Sequence, residues 1–224
     1  MSENNEQIFE VYIPPLFRYL EKKHVDAFFS DGDLQLSTFF KMRKHQDEQR
    51  GDPSEGHGKI NYKINGQPAQ TEDQVGIDSY VLCTSLLHST QMYNDFKCDS
   101  CIEINDPLQF ANLIAREIKG VERVIFGPCH YVLDKTIDRN SVSQFSCEKE
   151  HDYETLLQKT VLDGSIHVPF RKHCQYCHQH EYRFLWEISS AMEPIDGSKV
   201  IKVPEAIPLC NRLDRSSICP SLVT

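Results

Sequence analysis

No apolar run in the chain approaches the ~20 residues that a membrane-spanning helix needs. The opening stretch MSENNEQIFEVYIPPLF shows no basic segment followed by an apolar one. A secretory signal is therefore not expected, and a cytosolic, cytoplasmic location is. Neither a P-loop nor a glycine-rich dinucleotide fingerprint occurs, so any nucleotide would need a different kind of site. The Gly-x-Ser-x-Gly elbow of many serine hydrolases is missing as well. Positive charge is scarce: 24 Lys and Arg face 33 Asp and Glu, a formal net charge of −9. Such a surface repels nucleic acid on average, so contact would need a local basic patch or a basic partner. No basic stripe with interleaved aromatics marks an independent RNA-binding module.

Apolar residues make up 39% of the 224 positions, enough for an ordinary core. We expect one domain over residues 1–224, with a core at about 14–203 and an irregular C-terminal tail at 204–224. Short strands are expected at Phe17–Leu20, Leu34–Ser37, Ile60–Ile64, Tyr80–Ser85 and Ser100–Ile104. Further strands are expected at Val121–Ile125, His130–Leu133 and Glu181–Ile188, with Val200–Val203 pairing with the last. Asp31-Gly32 stops a helix over His24–Phe29. Asp106-Pro107 opens another that carries Phe110, Leu113, Ile114 and Ile118 on one face. A third helix is expected over Cys147–Leu162, and a charged loop over Lys41–Gly58. Helices and strands intersperse without regular βαβ units, which favours an α+β class over a doubly wound sheet.

The nine cysteines are an odd number, and no export signal accompanies them, so a disulfide framework is not expected. The stretch CQYCHQHEYRFLW, Cys174 to Trp186, admits three readings. Cys174-x-x-Cys177-His178 has the spacing of covalent haem attachment, a reaction that normally takes place outside the cytosol. Cys98, Cys101, Cys174 and Cys177 offer two pairs of thiolates for a structural zinc. However, 72 residues separate Cys101 from Cys174, far more than compact zinc ribbons use. The third reading concerns Gln179 and Glu181, which share a face two residues apart if the strand begins there, with Tyr182, Phe184 and Trp186 opposite. Cys129 and His130 are adjacent and would point apart on a strand, and no oxyanion signature is present, which argues against a cysteine hydrolase.

Several stretches resemble the ADP-ribosyltransferase superfamily. Arg18 and Tyr19 in LFRYL match the basic or aromatic end of its first strand. A hydroxyl cluster follows, either at Leu36-Ser37-Thr38 or at Cys83-Thr84-Ser85, and Gln179-His180-Glu181 matches its late Gln/Glu-x-Glu. The stretches FRYL, DGDLQLSTF, DEQRGDPSEG, LCTS and HEYRF also resemble a group of bacterial proteins over about residues 14–190. Some of these look like toxins of toxin–antitoxin and antiviral, anti-phage defence systems. Three departures accompany the likeness: no His opens the first strand, the full Ser-Thr-Ser triplet is absent, and Tyr182-Arg183 follows the Glu.

The resemblance implies a split mixed β-sheet with flanking helices and a mono-ADP-ribosyltransferase, a glycosyltransferase that uses NAD as substrate. It also implies a macromolecular acceptor (RNA, DNA or protein) and a restraining partner, an antitoxin protein or a chaperone. Glu181 would stabilise the oxocarbenium-like ribose, and Gln179 would orient the acceptor. Arg18 would hold the pyrophosphate, Tyr19 would stack on nicotinamide, and Ser37, Thr84 or Ser85 would hold the ribose. Arg43 and Arg50 in the charged loop would contact NAD or target phosphates. Arg183 is placed to pair with a carboxylate for structural reasons. On this reading Glu181→Gln abolishes transfer and leaves folding intact. The non-enzymatic alternative is an interaction protein with zinc on the four cysteines named above.

Overall fold

A computed structural model describes residues 12–47, 49, 51–74, 78–142, 167–189 and 197–217. It is an α+β fold organised around a six-stranded sheet. In chain order its strands are β1 (Leu16–Leu20), β5 (Ser79–Ser85), β6 (Ser100–Ile104), β7 (Val121–Pro128), β11 (Glu181–Ile188) and β13 (Cys210–Asp214). In space they lie β13-β6-β1-β5-β11-β7, and every pairing is antiparallel. Parallel pairing is confined to small satellite sheets. There β8 (His130–Val132) joins β10 (Arg171–His173), and β3 (His57–Ile64) joins β9 (Thr136–Val142). The mixed character expected of the main sheet is thus carried by its satellites.

The alternation in β11 explains its central place. Tyr182, Phe184 and Trp186 project onto one face and are buried with Leu16, Leu82, Ile102 and Ile104. Two helices close that core, α1 (Lys22–Asp31) through Val25 and Phe28, and α4 (Pro107–Glu117) through Phe110, Ala111 and Ile114. Fully burying a Phe or Leu side chain contributes roughly 1.5–3 kcal/mol, so this face supplies much of the cohesion. Asp106 caps α4 by accepting from Gln109 N at 2.9 Å. Gly32 ends α1 in the left-handed region at φ 75°. A Cβ there would stand 2.4 Å from Pro204 N, so glycine is required by contact as well as by conformation.

Several expectations require correction. Residues 199–202 form β12 (Lys199–Lys202), which pairs with β2 (Asp33–Leu36) and not with β11, since both flanks of β11 are taken by β5 and β7. The region read as an irregular tail contains β13, whose Cys210 is buried and which extends the main sheet at β6. The expected charged loop begins inside a short helix, α2 (Phe39–Arg43), capped by Thr38. β7 runs on through Gly127 to Pro128, past the expected end at Ile125, and β8 pairs in parallel with β10. Asn65 and Gly66 both have positive φ, as a type I′ turn requires, and they connect β3 to β4 (Gln67–Gln74). The helix expected over Cys147–Leu162 lies outside the described residues. Among the described residues, no helix is long and apolar enough to cross a membrane.

The sheet is weakest at its centre. β5 and β11 share an unbroken register from Ser79 to Ser85, and β1 and β6 pair along their whole length. Between β1 and β5, by contrast, only Phe17 and Ser85 are paired. The strands diverge from that rung, and the opening they leave positions the candidate site.

Candidate functional site

β11 begins at Glu181, where its alternation suggests, and does not extend back to Gln179. Residues 174–179 form a 3₁₀ segment, Cys174–Gln179, which His180 ends in the left-handed region at φ 44°. The strand proper starts at Glu181, directly opposite Ser85. Gln179 is therefore not a strand neighbour of Glu181. A third residue brings the two together. Lys172 of β10 donates through Nζ to Gln179 Oε1 at 2.7 Å and also to Glu181 Oε2.

Lys172 was not nominated from the sequence. Its only signal there is position, a basic residue of an extended Arg171-Lys172-His173 leading into the cysteine pair. In the fold it belongs to a buried alternation of charge. Arg183 Nε donates to Glu181 Oε1 at 2.5 Å, and its Nη1 donates to Glu55 Oε1 at 2.7 Å and to Pro169 O. Lys172, Glu181, Arg183 and Glu55 are all buried, and their formal charges cancel. Burial alone would disfavour charge on Glu181, but Arg183 and then Lys172 outweigh it and hold the carboxyl well below the usual carboxylate range. Burial likewise opposes charge on Lys172, while Glu181 and Glu55 push its ammonium above the ordinary lysine value. The adjacent Cys83 thiol moves well up through burial, with Glu181 adding to the effect, so it is held as a thiol. Removing one member of such a network leaves a buried charge unmatched, at a cost of about 3–5 kcal/mol. The expectation that Glu181→Gln leaves folding intact is corrected on this ground.

A cavity of about 290 Å³ opens beside this network, in the gap between β1 and β5. Glu181, Gln179 and Lys172 line it from one side, and Arg18 and Tyr19 line it from β1. Ser37, Thr84 and Ser85 line it too, so both candidate hydroxyl stretches reach the same space. The link between them is a bridge of Ser37 to Val81, with Ser37 N donating to Val81 O at 3.0 Å. The carboxylate at position 181 thus shares its cavity with the guanidinium from β1.

The fold differentiates these residues. Arg18 donates to Gln35 O at 2.8 Å and to Cys83 O at 3.4 Å, spanning the divergence of the strands. Ser85 Oγ donates to Gln179 O at 2.8 Å and accepts from Leu87 N at 3.0 Å, which makes it a structural tie. Thr84 Oγ1 donates to Tyr182 O at 2.8 Å. Among the described residues, Ser37 Oγ makes only a long contact of 3.5 Å to Thr38 O and is the hydroxyl best placed to turn to a ligand. Gln179 is committed at both ends, accepting from Lys172 and donating through Nε2 to Gln49 O at 2.8 Å. Its amide is thus held between the Lys172 ammonium and the Gln49 backbone.

Tyr19 is engaged at its hydroxyl, which donates to Leu87 O at 2.8 Å and accepts from Ser89 N at 3.0 Å. Its ring packs edge-on against Tyr93, and Phe17 and Phe96 add aromatic surface to the cavity. Arg43 does not line the cavity. It donates to Glu55 O at 2.7 Å and ties α2 to the turn that delivers Glu55. Arg50 lies outside the described residues. Asp52, in the same turn, accepts from Lys135 Nζ at 2.8 Å. The described part of the mixed-charge loop thus sets Glu55 against Arg183 and lines the cavity through His45, Gln49 and Glu55.

The cysteine pairs lie in different surroundings. Cys98 and Cys101 are buried with Tyr19, Met92 and Tyr93, and burial pushes the Cys101 thiol up. Cys174 and Cys177 sit on the 3₁₀ segment, with Cys177 exposed. Among the described residues, no group of three or more His, Cys, Asp or Glu side chains is arranged to hold a metal ion. In comparisons with known proteins, no family model matches the chain, and neither a curated protein nor a solved structure matches it.

Proposed function

We propose that the protein is an NAD-dependent mono-ADP-ribosyltransferase of the toxin-like kind, acting on a macromolecular acceptor and held in check by an antitoxin partner. The observation that carries this reading is the meeting, in one cavity at a divergence of the sheet, of Glu181, Arg18 and Ser37, residues distant in sequence. Breaking the glycosidic bond of NAD places positive charge on the ribose carbon, and a fixed carboxylate stabilises that charge more than it stabilises the ground state. Glu181 suits this task. Arg183 and Lys172 keep it ionised, so it stays an anion at neutral pH and does not act as a proton acceptor. Arg183, Lys172 and the Cys83 thiol take three of the four lone-pair directions of the carboxylate, which leaves one for a ribose hydroxyl. Arg18 offers a planar donor fork to the pyrophosphate, and Ser37 offers a hydroxyl to the ribose. Phe17 and Phe96 provide ring surface for a base or for nicotinamide.

The test uses NAD labelled in its adenylate half, incubated with purified protein and a cell extract, followed by separation of protein from nucleic acid. Label is expected in one macromolecular fraction, with release of free nicotinamide. Intact NAD with no labelled fraction, from protein shown to be folded, would overturn the reading.

A further inference from the structure

The charge deficit of the chain makes any concentration of basic residues conspicuous, and one lies at the rim of the cavity. α2 and the residues that follow it read Phe39-Phe40-Lys41-Met42-Arg43-Lys44-His45. Phe39 is buried and anchors the helix, whereas Phe40, Lys41, Lys44 and His45 are exposed. Lys41 and His45 line the cavity, and Phe40 and Lys44 face outward beside it. Among the described residues neither exposed lysine has a carboxylate partner. Lys41 Nζ donates to Ser198 Oγ at 2.7 Å, and Lys44 Nζ stands 3.8 Å from the centre of the Phe40 ring. Lys199 of β12 follows Ser198 in the chain, with its ammonium 5.8 Å from the centre of the Tyr80 ring. Among the described residues, the nearby carboxylates Asp47 and Glu55 are engaged elsewhere, Asp47 near Lys97 at 3.7 Å and Glu55 turned inward to Arg183.

We infer that this rim is a docking surface for single-stranded nucleic acid, the acceptor of the reaction proposed above. An aromatic ring flanked by unpaired cations is what a single strand requires: charges to follow the phosphates and a ring on which a base can stack. Because the patch runs into the cavity through Lys41 and His45, a strand lying along it is led to the reacting carbon. His45 Nδ1 accepts from Asp47 N at 3.1 Å, which leaves Nε2 of the neutral ring as a donor to a phosphate or base. A protein acceptor would be expected to seat an apolar anchor in a dry pocket, whereas Phe40 is already covered on one face by a lysine. The patch is too short to mark an RNA-binding module in the sequence, and folding is what sets it at a cavity mouth.

The inference rests on the transferase reading only for what happens after docking, so binding is measured without NAD. The probe is a fluorescein-labelled single-stranded oligonucleotide of about a dozen nucleotides, made as RNA and as DNA and followed by anisotropy. Phosphate contacts from Lys41, Lys44 and Lys199 predict a log–log salt slope of about −2. Lys44→Glu should flatten the slope by about 0.7 or more, and Phe40→Ala should weaken binding about tenfold. Both side chains are exposed, so melting temperature serves as the folding control. Absence of salt-dependent binding, or binding indifferent to both substitutions, would overturn the inference. Equal affinity for heparin, with no effect of Phe40→Ala, would reduce the patch to a general polyanion contact and overturn it too. Label from NAD found in protein alone would replace the nucleic-acid acceptor with a protein one. If the oligonucleotide binds as described while NAD stays intact, the docking surface stands and the transferase reading falls.

Discussion

Replacing Glu181 by Gln tests two claims at once, and the structure shows how to separate them. The substitution keeps shape but removes the anion between Lys172 and Arg183, leaving Glu55 as the remaining carboxylate of the network. One buried cation is then unmatched, a penalty of about 3–5 kcal/mol. Against a typical total stability of about 5–15 kcal/mol this is severe, equivalent to a fall in melting temperature of roughly 6–20 °C at this chain length. Lost activity in the single variant would therefore be ambiguous. The double variant Lys172→Met with Glu181→Gln removes one charge of each sign and leaves Arg183 matched by Glu55. Urea unfolding should show it to be at least about 2 kcal/mol more stable than the sum of the single effects predicts, because the two residues are in direct contact. Transfer should nevertheless stay about 100–1,000-fold below wild type, since the electrostatic group facing the ribose is gone. Additive stability losses would refute the coupling of Lys172 to Glu181. Single-turnover cleavage of labelled NAD at the wild-type rate, by either variant, would refute the catalytic assignment.

Acid should expose the same network. Glu181 has a folded-state pKa below its unfolded value of ~4.3, and Asp52, bonded to Lys135 and Ser54, lies below ~3.9. Both contribute stability above those unfolded values and lose it as pH falls toward the folded ones. The urea midpoint should thus be nearly level between pH 6 and 8 with respect to these groups and decline below about pH 4.5; a midpoint unchanged down to about pH 3 would contradict the pairing. Gly32→Ala places a Cβ against the Pro204 backbone at a left-handed φ and should cost at least about 2 kcal/mol by chemical denaturation; a neutral result would refute that approach of the chain. Cys174→Ser, at a partly exposed site, should change stability by no more than about 0.5 kcal/mol. A large loss accompanied by release of one zinc ion per chain would instead establish the four-cysteine site.

How far the sequence could be read depended on whether the deciding interaction was local. The cap at Asp106, the stop at Gly32 and the alternation of Tyr182, Phe184 and Trp186 all arise within a few residues, and all were legible. Pairing of β12 with β2 was not, because strand partners depend on which edges are already occupied. Gln179 was assigned to the strand because period alone cannot reveal that His180 adopts a left-handed conformation. Seven of the twenty residues lining the cavity could be named through the resemblance, yet their division of labour could not. That Ser85 and Gln179 are tied while Ser37 is not follows from contacts across long sequence separations. Lys172 was invisible for the same reason: its partners are fixed by a parallel pairing with β8 that no local pattern announces.

The divergence of β1 from β5 has a mechanical side. Below the Phe17–Ser85 rung, Arg18 supplies to the carbonyls of Cys83 and Gln35 the donor that a neighbouring strand would otherwise provide. One side chain thus acts as a movable clasp across a seam in the sheet. Any anion that recruits the guanidinium must draw it away from those carbonyls, so occupancy and the tightness of the seam are coupled. Slowed or quickened amide exchange at the flanking strands would then report an occupant before any chemistry takes place.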